Sequence, residues 1–152
     1  MAAFQIEVRA SVERHDVHAH KLAHNILQLS AKRLPSLNTL PPDSPLFLRT
    51  SQLFHLTGHL SIAQLHQLTH ALLIDPVMQE VCISSSSSDE DGDAVFKQQT
   101  IVRTITQMHV VDVFFHAGVT DTLAESVLSG AHMLGIEGIE HVETGRRYYL
   151  DA

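Results

Sequence analysis

The sequence predicts an α+β protein made of two small units, each an antiparallel sheet covered by helices, with the second unit incomplete. Three observations carry that prediction. Short β-branched and aromatic runs alternate with stretches of helical period, the order from His109 onward reads strand, helix, strand, turn, strand, and a similar order opens the chain. At an offset of 105 residues Ile6-Glu7-Val8 falls on Val111-Asp112-Val113, Asp16 on Asp121, Ala19 on Ala124 and Leu29 on Leu134. At an offset of 94 residues Thr50 falls on Thr144, Phe54 on Tyr148 and Leu56 on Leu150. The first copy therefore carries about eleven extra residues between Ser30 and Leu48, where Pro35, Pro41, Pro42 and Pro45 sit. The expected boundaries are a first unit over 1–83, a serine-rich acidic linker and lead-in over 84–108, and a second, truncated unit over 109–152.

Taken in order, Phe4, Ile6, Val8 and Ala10 alternate with Gln5, Glu7, Arg9 and Ser11, which predicts a strand with one wet face. Asp16 is placed to cap a helix whose apolar positions are Ala19, Leu22, Ala23, Ile26 and Leu29. The proline-rich stretch from Pro35 to Pro45 reads as a loop, because proline removes donors and keeps its predecessor extended. Leu46 to Thr57 resumes strand character, with a hairpin around Ser51-Gln52. Ser61 caps a second helix with Ile62, Leu65, Leu68 and Leu72 inward, Pro76 stops it, and Glu80 to Ile83 forms a closing strand.

In the second unit Val110 to Phe115 reads as a strand buried on one or both faces, followed by a turn at Gly118. Asp121, Thr122 and Glu125 form the start of a helix, with Thr122 and Glu125 at capping-box spacing. Leu123, Val127, Leu128, Ala131 and Leu134 give that helix its apolar face, and Gly135 ends it. Ile139 to Val142 and Arg146 to Leu150 are two short strands joined by a tight turn at Thr144-Gly145.

Composition excludes several functions. A chain of 152 residues buries roughly 68–70% of its unfolded surface, which is enough for one domain or two small ones. The formal charge of −7 disfavours a nucleic-acid partner. Residues 84–93 carry four of the acidic charges, leaving −3 elsewhere, so the acidity says little about a binding surface. Asp89, Asp91 and Asp93 have calcium-loop spacing, yet Gly92 is out of place and no closing glutamate follows. The single Cys82 excludes an internal disulfide and fits a reducing compartment. No apolar stretch approaches the roughly 20 residues that span a bilayer, so the sequence reads as a soluble, cytoplasmic protein with no membrane partner.

Chemistry-bearing motifs are sparse. Twelve histidines include His20/His24 and His66/His70 at i, i+4, a spacing that can grip a metal. Lys21 and Gln67 stand where a zinc-protease helix carries glutamate, so these positions read as solvated helix faces, and neither metal nor cofactor is assigned. Cys82 follows a strand with no glycine elbow, no phosphate-cradling glycine loop occurs, and no catalytic residue is assigned. The run Thr144, Gly145, Arg146, Arg147, Tyr148 and Tyr149 is the interface candidate, since Arg and Tyr most often carry binding energy at interfaces. The first unit continues into a helix, Ser61 to Asp75, and a strand, whereas the second reaches Ala152 where that helix should begin. An uncovered apolar face, and with it self-association or dependence on a partner, is expected near the last strand.

Gly118-Val119-Thr120-Asp121, Ala124-Glu125-Ser126-Val127-Leu128, Leu134-Gly135-Ile136 and Thr144-Gly145-Arg146-Arg147-Tyr148-Tyr149-Leu150 together resemble the PurS-type small-subunit domain of phosphoribosylformylglycinamidine synthase. They resemble more closely the tandem form that precedes the large synthase subunit, and Ala71 to Val77 resembles the end of that family's second helix. Thr122 departs from the family's usual proline, a change the first helical turn accepts. The resemblance implies two PurS-like units in a non-catalytic component of the ATP- and glutamine-dependent carbon–nitrogen ligase complex of purine biosynthesis. Its implied partners are the synthase large subunit and the glutaminase subunit, which it scaffolds while helping ammonia transfer between them. No substrate or nucleotide residue is carried over, because the ATP-binding region is not in this sequence. The alternative expectation is a small-molecule or metal-binding sensor domain of ferredoxin-like type, formed between paired units.

Overall fold

The computed structural model describes residues 2–12, 16–33, 48–86 and 108–151. They form an α+β architecture: β1 (Ala2–Ala10), α1 (Val17–Arg33), β2 (Leu48–Gly58), α2 (Ile62–Leu68), β3 (Gln79–Ser86), β4 (Met108–Phe114), α3 (Thr122–Met133) and β5 (Ile139–Asp151). The five strands among the described residues lie in one antiparallel sheet in the order β3-β1-β2-β5-β4, with β3 and β4 outermost. The Pro35–Pro45 loop and residues 87–107, including the aspartates with calcium-loop spacing, lie outside the described residues.

The strand pairing repeats at the spacing of the sequence offsets. Ile6, Glu7 and Val8 on β1 sit opposite Phe54, Leu53 and Gln52 on β2. Their counterparts Val111, Asp112 and Val113 on β4 sit opposite Tyr148, Arg147 and Arg146 on β5. Across the middle of the sheet Gln52 is opposite Arg146, the residue 94 positions further on, so the β2–β5 ladder turns about that pair as a local two-fold.

The helix starts repeat too. Asp16 Oδ1 accepts the Ala19 N–H at 2.9 Å and the Thr50 hydroxyl at 2.7 Å, while Oδ2 accepts the Thr50 N–H at 2.7 Å. Asp121 accepts the Ala124 N–H at 2.9 Å and both the Thr144 N–H and hydroxyl at 2.8 Å. Each aspartate thus caps a helix and takes a strand donor close to where the neighbouring strand ends. Burial opposes ionisation of Asp121, but the N–H groups of Ala124 and Thr144 outweigh it and hold the carboxyl below its ordinary range.

The core lies on the face to which these helix starts are tied. Phe4, Ile6, Val8, Phe54, Leu56 and Val142 supply the sheet side, and Leu65, Leu68, Ala124, Val127, Ala131 and Ile136 cover them. Gly135, at φ 76°, closes α3: its N–H reaches His132 O, and the Ile136 N–H reaches back to Ala131 O, turning Ile136 into the core.

Several expectations change. Thr144-Gly145 is no turn, nor is Ser51-Gln52 a hairpin: both lie inside long paired strands, which suit one continuous five-stranded ladder better than two separate small sheets. Gly145 is required by close approach, since a Cβ there would stand 2.6 Å from the Phe114 ring. The cap of α3 is Asp121, with Thr122 its first helical residue and Glu125 in its first turn, so the Thr122–Glu125 box is replaced by a one-sided cap. The apolar face of α3 is Ala124, Val127 and Ala131, and Leu123 and Leu128 are exposed. Ser61 does cap α2, through a box with Gln64, but Ile62 and Leu72 are exposed. A π-helical turn, Thr69–Leu73, follows Leu68 and shifts the phase, so Leu73 and Ile74 pack on the core instead of Leu72. Ser84, Ser85 and Ser86 belong to β3, opposite Gln5, Phe4 and Ala3, so the linker starts later than expected. Glu7, expected on a wet face, is 7% exposed.

Candidate functional site

Alternation along the strands puts Glu7, Ser51, Leu53, Arg147, Tyr149 and Asp112 on the sheet face opposite the core. A polar ribbon crosses that face. Glu7 Oε1 accepts the Ser51 hydroxyl at 2.7 Å and the Tyr149 hydroxyl at 2.5 Å, and Oε2 accepts Arg147 Nη1 at 3.3 Å. Arg147 also grips Asp112 as a fork, Nε to Oδ1 at 2.7 Å and Nη2 to Oδ2 at 2.9 Å. Four strands, β1, β2, β5 and β4, are tied by one chain of bonds. The bond to Arg147 holds the Asp112 carboxyl below its ordinary range against the effect of burial. Burial and the Glu7 carboxylate push the Tyr149 phenol up to about 12. Burial, reinforced by Glu7, also raises the Cys82 thiol, which therefore stays protonated and weakly nucleophilic.

Chemically this ribbon is a clamp. Ser51 and Tyr149 donate into a carboxylate that also faces a guanidinium, and both hydroxyls are buried. Among the described residues no buried side-chain donor or acceptor lacks a partner, and no group of three His, Cys, Asp or Glu is placed to hold a metal ion. His66 and His70 stack with ring centres 6.1 Å apart, and His20 and His24 are exposed on α1. His55 lies between Gln5, at 3.1 Å, and Glu143, at 4.0 Å, with its ring 4.8 Å from Phe114.

The interface candidates lie mostly inside the fold. Thr144 is spent on Asp121, Gly145 is under Phe114, and Tyr149 is spent on Glu7. Arg146, Arg147 and Tyr148 are partly buried on β5, an inner strand and not an edge. The exposed apolar surface expected near the last strand belongs instead to β4, which sequence reading had buried.

The asymmetry between the two halves locates it. Ile6 and Val8 are 0% and 3% exposed, in one buried cluster with Leu65 and Leu68 of α2, whereas their counterparts Val111 and Val113 are 45% and 51% exposed. Val110, Phe115, Val119 and Leu123 are exposed as well. A groove of about 360 Å³ opens there, between Val113, Phe115, Leu123, Thr144, Gln52 and Arg146. The uncovered apolar face expected near the last strand is thus found one strand further out, on β4. Among the described residues no helix is long and apolar enough to cross a membrane. No family model, no curated protein and no solved structure matches the chain.

Proposed function

We propose that this chain is a tandem PurS-like, non-catalytic component of phosphoribosylformylglycinamidine synthase, docking a glutaminase and an ATP-dependent synthase subunit and helping enclose the ammonia path between them. The likeness of residues 118–150 to the small-subunit domain of that enzyme motivates the name. The repeated strand register and the repeated Asp–Thr clips support a duplicated module. The observation that carries a docking role is the uncovered β4 flank, where Val111, Val113 and Phe115, at alternate positions along the chain, stand 45–51% exposed. A strand that has no outer neighbour among the described residues, beside such a patch, suits adhesion better than chemistry.

A scaffold that couples ammonia production to its use affects only the glutamine-dependent reaction. In a reconstitution with the large subunit and glutaminase, adding this chain is expected to raise glutamine-dependent product formation at least tenfold, the scale of the loss when reacting partners are misplaced. Synthesis from free ammonium salt should stay unchanged. Equal stimulation of both reactions, or of neither, would reject the role.

A further inference from the structure

The first half of the sheet contains a filled version of the site that stands open in the second. There Leu65 and Leu68 of α2 share a buried cluster with Ile6 and Val8 of β1, and β3 pairs antiparallel with β1, putting Val81 opposite Val8 and Ile83 opposite Ile6. The counterparts of Val8 and Ile6 are Val113 and Val111, on a strand that has no outer neighbour among the described residues. We propose that β4 is the seat for a helix-then-strand segment of a partner protein, with the strand antiparallel to β4 and the helix lying over Val111 and Val113. The proposal rests on the docking role above and names what is docked.

The chemistry of the seat narrows the occupant. Asp112 is the only carboxylate on β4, which carries no Lys or Arg, and Arg147 already neutralises it through two bonds. An incoming strand therefore meets an apolar, neutral edge and is itself neutral. On the other side of the sheet Arg9 of β1 pairs with Glu80 of β3 at 2.7 Å. Phe114 takes the place of Arg9 in β4, so the partner's strand carries an apolar residue where β3 has an acid. A second copy of the chain is the weaker occupant. Its own α2 and β3 already cover Ile6 and Val8, and lending them elsewhere would bare those residues for each pair covered. Pairing β4 with β4 would satisfy backbone groups but leave the helix seat empty.

The test uses the full chain and two synthetic peptides with the sequence of residues 60–86, both carrying C82S and one also carrying E80V. Saturating peptide is expected to slow amide hydrogen exchange across Met108–Phe114 by about tenfold or more, as pairing an edge strand does. The E80V peptide should bind severalfold more tightly than the other. A V111K/V113K chain should lose the protection while keeping its Tm, because both side chains are exposed in the free protein. Protection that is absent with both peptides, or that survives in V111K/V113K, overturns the proposal. Co-elution with the synthase subunits separates the two levels. A complex that forms with β4 still exchanging freely rejects the seat and leaves docking standing, and a protected β4 without co-elution keeps the seat and rejects the synthase role.

Discussion

Glu7 is a carboxylate with 7% exposure in a strand of alternating pattern, and what makes that burial tolerable is the set of donors around it. Ser51, Tyr149 and Arg147 together satisfy both of its oxygens. The strand itself was legible in the sequence, since Phe4, Ile6 and Val8 alternate with polar residues. The burial of Glu7 was not, because alternation says which face a residue takes but not what covers that face. Removing one donor should be costly: Tyr149→Phe is expected to lower stability by about 1–3 kcal/mol in urea unfolding at neutral pH. The phenol also predicts a pH dependence. Its folded value is raised to about 12, above the usual value of 10, so its contribution is complete below pH 10 and is lost as pH climbs through 12. The loss measured between those pH values should shrink in the Tyr149→Phe chain. A variant that falls as steeply as the wild type would place the Tyr149 hydroxyl outside the clamp.

At the scale of elements the instructive feature is the Asp–Thr clip, since it was written in the sequence twice and read only as a helix cap. Asp16 and Asp121 were each placed at a helix start by their spacing to the apolar residues that follow. Their second role, receiving both donors of a threonine 34 and 23 residues away, is a tertiary contact that no local pattern encodes. The same limit explains the mistaken turn at Thr144-Gly145. Glycine after threonine is turn chemistry locally, but here it makes room for Phe114 in a paired strand. The π-helical turn after Leu68 shifted the inward face from Leu72 to Leu73 and Ile74, a change that a helical-period reading cannot foresee. Double-mutant cycles on Asp16→Asn with Thr50→Val, and on Asp121→Asn with Thr144→Val, should each give a coupling of about 0.5–3 kcal/mol. A coupling in one pair and none in the other would break the structural equivalence of the two clips.

For the whole molecule, one five-stranded sheet joins what the sequence presents as two copies, and the shared β2–β5 ladder is where they meet. The uncovered flank lies on the second copy: both copies bring a core-facing strand, and among the described residues only the strand of the first has an outer neighbour and shares a cluster with a second helix. The fold class and most element positions followed from periodicity and capping residues. The location of the open surface did not, because strand order is set by non-local pairing and no motif states it. The account depends on that flank being a place of attachment. The most direct test is size-exclusion co-elution of the chain with the synthase large subunit and glutaminase, run in parallel with the V111K/V113K chain. The wild-type chain should travel with the larger proteins and the variant should elute alone at unchanged Tm, whereas a variant that still travels with them, or a wild type that never does, would contradict the account.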